Sequence, residues 1–86
     1  MSGENGEPTV ELVGLRLRPR GPVGVCELGA LVWTFLSNGI SIIPYKAGPG
    51  VLRVNAVTVD HKLVIALLRN VNPKYLDVEI VRWWKE

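Results

Sequence analysis

The feature that most constrains this chain is the switching of its hydrophobic period, which runs two, then about 3.6, then two, two, 3.6 and two again between Thr9 and Trp84. A period of two marks a strand with one wet face, and a period of 3.6 marks a helix with one buried face. In residues 9–18, Val13, Leu15 and Leu17 alternate with Gly14, Arg16 and Arg18. Val10 and Leu12 fall in the opposite phase, which predicts a bulge at Gly14. Residues 19–24 (PRGPVG) read as a loop. Over residues 25–37, Val25, Leu28, Leu31, Val32, Phe35 and Leu36 share one arc at helical spacing, and Asn38 and Gly39 supply left-handed end chemistry.

Residues 40–45 (ISIIPY) predict a second strand whose Pro44 suits an edge, and residues 46–50 (KAGPG) a turn. Residues 51–59 (VLRVNAVTV) are too rich in β-branched side chains to favour a helix, so they predict a strand paired with its predecessor as a hairpin. Asp60 is a candidate N-cap for a helix striped by Leu63, Val64, Leu67, Leu68 and Val71, ending near Asn70 and stopped by Asn72 and Pro73. Residues 75–84 close the chain as a strand, with Leu76, Val78 and Ile80 on one face and Asp77, Glu79 and Val81 on the other.

The order strand, helix, strand, strand, helix, strand predicts an α+β class protein. The expected form is a ferredoxin-like βαββαβ two-layer sandwich, with a four-stranded antiparallel sheet and both helices on one face. The first and third strands are then central. A length of 86 residues supports one core, taken as residues 8–86 behind a Gly-, Ser- and Glu-containing tail, residues 1–7, expected to be disordered.

Ten basic residues stand against eight acidic ones, and without Glu4 and Glu7 of the tail the balance is ten against six, or +4. Such a body favours anionic partners without being a dedicated polycation. With 48% hydrophobic residues and three Trp in so small a body, a protein partner or homodimer is also expected. The lone Cys26 excludes an internal disulfide and a thiolate zinc site, and the polar opening residues lack a signal peptide's pattern. A reducing, cytoplasmic setting follows as the expectation. Residues 23–45 hold no membrane-length apolar run. The absence of Gln and the wealth of Val and Leu suit a thermophilic source.

If Val13, Leu15 and Leu17 face the helices with Leu52, Val54 and Ala56, then Arg16, Arg18, Arg53 and Asn55 meet on the uncovered face of the sheet. Arg20 continues the basic line into the loop, while Lys46 and Arg82 widen it. These residues are the candidate nucleic-acid contacts, for RNA or DNA. The plainer alternative is a solvated face on which the arginines pair with Glu11, Asp77 and Glu79. The central strands carry no Phe, Tyr or Trp, which removes the base-stacking mode that RNA-recognition domains of this topology use. Trp83 and Trp84 are adjacent and must point to opposite faces, one into the body and the other free to stack a base or anchor a partner. Trp33 lies with Cys26 and Ala30 off the main apolar arc of its helix, a pattern of helix-to-helix contact.

Residues 28–50 (LGALVWTFLSNGISIIPYKAGPG) resemble the helix, NG cap, strand and basic Gly-containing turn of Alba-type archaeal nucleic-acid-binding proteins. The resemblance covers about a quarter of the chain and implies DNA or RNA binding, with Lys46 the one basic residue carried over. Beyond it the patterns part: that family resumes with a helix and ends in two strands, whereas residues 51–59 here predict a strand and one strand ends the chain.

Cys26 and His61 are the only nucleophile and imidazole, and nothing in the pattern unites them, so no catalytic residues, metal or cofactor are expected. Asp60, Asp77 and Glu79 form no ligand set. No small-molecule substrate is marked. The sequence therefore points to a non-enzymatic nucleic-acid-binding module within a larger assembly. Its rival is an interaction or oligomeric assembly subunit using the open sheet face, Trp33 and the tryptophan pair.

Overall fold

The computed structural model describes residues 9–86, so the tail expected over residues 1–7 lies outside the described residues. Six elements follow in the predicted order: β1 (Glu11–Pro19), α1 (Gly21–Ser37), β2 (Ser41–Gly48), β3 (Val51–Thr58), α2 (His61–Val71) and β4 (Leu76–Lys85). The sheet runs β2-β3-β1-β4 with every neighbouring pair antiparallel, and both helices pack on it, which is the ferredoxin-like α+β arrangement. No helix of the described residues is long and apolar enough to cross a membrane.

β1 and β3 form the centre, and their inward positions are apolar from Val13 to Leu17 and from Leu52 to Ala56. Val13 lies opposite Ala56, Leu15 opposite Val54 and Leu17 opposite Leu52. Leu31 and Phe35 of α1, Val64 of α2, Ile40 and Leu76 complete the buried core. Each large aliphatic or aromatic side chain so enclosed contributes about 1.5–3 kcal/mol.

α1 begins four residues before the expected start, at Gly21. The loop reading of residues 19–24 fails because Pro22 sits in the first helical turn, where its missing N–H would have had no intrahelical partner. Gly21 takes φ 71°, which lets the strand reverse into the helix. At the other end Gly39 adopts φ 77°, its N–H bonds Leu36 O at 3.1 Å, and the Ile40 N–H returns to Phe35 O at 2.9 Å. That crossed pair satisfies the last carbonyls and delivers Ile40 to the core.

β2 runs three residues further than expected and takes Lys46 into the strand, leaving Pro49 and Gly50 (φ 72°) as the turn. α2 is capped by Asp60, whose carboxylate accepts the Lys62 N–H at 2.9 Å, and ends at Asn72 in the left-handed region.

Each edge strand carries an irregularity. Between Gly14 and Leu15 the pairing jumps from Arg82 to Ile80, so Val81 is the extra residue and the bulge expected at Gly14 lies in β4 opposite it. In β2 the pairing of β3 passes from Pro44 to Lys46, which leaves Tyr45 extra. One inserted residue reverses which face the following side chains take.

Candidate functional site

The two bulges shape the uncovered face of the sheet. Simple alternation from Pro44, which pairs with buried Val54, would turn Lys46 towards the helices; the extra Tyr45 instead sets Lys46 opposite Arg53 on the outer side. Alternation from Ile80, opposite buried Leu15, would likewise send Arg82 and Trp84 inward. Val81 reverses this, placing Arg82 opposite Gly14 and Trp84 opposite Leu12. Both edge strands thus rotate a cation onto the open face.

Three cations converge there. Arg16 lies opposite Arg53 across the central strands, and with Lys46, Gly48 and Val51 they line a depression of about 180 Å³. Arg16 is partly neutralised by Glu79, its neighbour on β4, at 3.4 Å. Neither Lys46, Arg53 nor Arg18 forms an ion pair among the described residues. The expected pairing with acidic neighbours is thus present for Arg16 with Glu79 and for Arg20 with Asp77, and absent for Arg18 and Arg53 among the described residues. Clustered like charges repel in the free protein, and an anion seated among them relieves that repulsion.

Beyond the depression the face becomes less charged. The Arg82 guanidinium carbon sits 4.0 Å from the centre of the Trp84 ring, and a side chain at Gly14 would meet Arg82 Cγ at 3.0 Å. Gly14 is the floor on which Arg82 crosses to Trp84. Ile43, opposite Asn55, and Val57, opposite Leu12, extend this surface towards β2.

Arg20 is engaged elsewhere. It bonds Lys74 O at 2.6 Å, pairs with Asp77 at 3.4 Å, and its backbone N–H bonds Tyr75 O at 2.7 Å. From α1, Glu27 answers by accepting the Lys74 and Tyr75 N–H groups at 2.9 and 2.5 Å. These bonds clamp the start of α1 to the loop before β4, a structural task that the basic run in the sequence did not suggest.

Trp83 takes the helix side. Its ring centre is 4.3 Å from that of His61, and its Nε1–H donates to Glu11 Oε1 at 3.3 Å. Glu11, expected to pair with arginines on the outer face, instead shares the inner phase of Val13 and reaches the first turn of α2. There its Oε1 accepts the His61 backbone N–H at 2.7 Å and lies 2.7 Å from His61 Nδ1. These bonds, the backbone one first, hold the Glu11 carboxyl below its ordinary value.

Glu11, Asp60 and His61 bring three ligand-type atoms within 4.8 Å of one another, a grouping the sequence reading missed. Glu11 Oε1 and Asp60 Oδ1 are already acceptors of backbone N–H groups, and Lys85 Nζ stands 4.0 Å from Glu11 Oε2. The grouping is the cap of α2 tied to β1. Cys26 lies exposed on α1, whereas His61 is held against Glu11 and Trp83 at the start of α2. Trp33 is exposed on α1.

A second hollow, of about 420 Å³, opens between α2 and β4 and is lined by Leu68, Val78 and Ile80 with Arg69 at its rim. Compared with known families, curated proteins and solved structures, the chain finds no match, which leaves its chemistry as the guide to function.

Proposed function

We propose that the uncovered sheet face binds the phosphodiester backbone of RNA or DNA, and that the protein is a non-enzymatic module of a nucleic-acid-associated assembly. The observation that carries this reading is the convergence of Arg16, Lys46 and Arg53 on one depression, with Lys46 brought there by the bulge at Tyr45. Arg18 extends the cationic row, and the Arg82–Trp84 stack offers a planar surface along the same face. A base laid on that stack gains contact that any of the four bases can make, so recognition is by backbone and shape rather than by sequence. The partial resemblance of residues 28–50 to Alba-type proteins gives Lys46 the same role.

Fluorescence anisotropy with labelled 20-mers of single- and double-stranded RNA and DNA tests the proposal. Binding at about 50 mM salt should weaken steeply by about 200 mM, as released counterions require. The combined Arg16→Ala, Lys46→Ala and Arg53→Ala variant should lose at least about tenfold in affinity and flatten the salt slope by roughly two to three. No binding at low salt, or equal binding by the triple variant, overturns the proposal.

A further inference from the structure

α1 carries 17 residues and only one charge, Glu27, which is spent on the backbone of Lys74 and Tyr75. The helix face turned away from the core has no charge: Pro22, Val25, Cys26, Gly29, Ala30, Trp33, Leu36 and Ser37 are all exposed. On α2 the corresponding face is ordinary, with Lys62, Arg69 and Asn70 in water. Trp33 is 71% exposed, Val25 60%, Val23 54% and Leu36 53%. Together with their small neighbours they leave an unbroken uncharged surface open along one helix.

We propose that this face is a homodimer surface on which α1 packs antiparallel against α1 of a second copy. The order of side-chain sizes along the helix is what identifies the occupant. An antiparallel pair related by a two-fold axis between Gly29 and Ala30 sets Trp33 of each helix over Cys26 of the other. Large side chains then fall on small ones at both ends, and the smallest two meet at the crossing. A Cβ at Gly29 would have nothing within 4 Å, so the space for a second helix to approach closely is open. The partner must bring no charge to a face that offers none in return, and a second copy satisfies that condition with this same surface. The inference is independent of nucleic-acid binding, because α1 lies on the opposite side of the sheet from Arg16, Lys46 and Arg53.

Sedimentation velocity of the full chain at about 50 μM, with circular dichroism as the check on folding, tests this. The wild type should sediment at twice the chain mass of 9.5 kDa. Trp33→Glu should keep its helical spectrum and dissociate at least about thirtyfold more readily, as loss of a central Trp anchor demands. Arg53→Ala should leave the mass unchanged. Under mild oxidation, Gly29→Cys in a Cys26→Ser background should form an intermolecular disulfide. Native Cys26 should not, since its two copies lie about 10 Å apart along an antiparallel pair, beyond disulfide reach. A monomeric wild type, a dimer indifferent to Trp33→Glu, efficient Cys26 cross-linking as in a parallel pair, or a monomer that partitions onto zwitterionic lipid vesicles through this face would each overturn the proposal.

Discussion

Glu11 Oε1 accepts the backbone N–H of His61 at 2.7 Å, tying the first residue of β1 to the first residue of α2. Because the folded state holds this carboxyl below its ordinary value, its contribution is present above the unfolded carboxylate's pKa of about 4.3 and is lost as pH falls through the lower folded value. The wild type should lose stability as pH drops below about 5, and Glu11→Gln should be less stable near pH 7 but fall less steeply with acid. Urea denaturation across this range checks both slopes.

Two glycines of α1 should respond with opposite signs. A Cβ at Gly24 would fall on the carbonyl oxygen of Tyr75 and meet Pro19 backbone at 3.0 Å, whereas one at Gly29 meets nothing. Gly24→Ala should cost about 2 kcal/mol or more. Gly29→Ala, measured in dilute solution, should gain about 0.5–1 kcal/mol from helix propensity. Thermal melts distinguish the two.

The ends of α2 give a third comparison. Asp60→Ala removes the acceptor of the Lys62 N–H and should cost about 1 kcal/mol. Asn72 holds φ 45°, so Asn72→Gly should be tolerated, while Asn72→Val should cost about 1–2 kcal/mol because a branched side chain resists that conformation. Chemical denaturation of the three variants is the measurement.

Gly14 controls the Arg82–Trp84 stack, since a side chain there collides with Arg82 Cγ. In nitrogen-15 correlation spectra Gly14→Val should move the Trp84 indole resonance and leave that of Trp33 in place. An unmoved Trp84 signal would show that the stack does not depend on the glycine.

The element order was legible because each element carries its own period, and the inner set Val13, Leu15, Leu17, Leu52, Val54 and Ala56 follows from two alternations alone. The start of α1 was misread because Gly21 and Pro22 break structure in mid-element yet open a helix when they lie in its first turn. The inserted residues Tyr45 and Val81 were hidden for a different reason: their positions depend on the register of a neighbouring strand, which no local pattern encodes. Lys46, Arg82 and Trp84 were therefore chosen by side-chain type, and only the register puts them on the outer face. Glu11 had a usable signal, since its odd number matches the inward phase of Val13, but its charge suggested the wet side.

Placing both helices on one side of the sheet makes the molecule two-faced, and two copies joined through α1 would turn their cationic sheets away from each other. Such a pair has no continuous track for a single straight strand. It would act as a staple, holding two separate stretches of nucleic acid at a fixed separation, and its visible effect would be the bridging of distant segments rather than the coating of one.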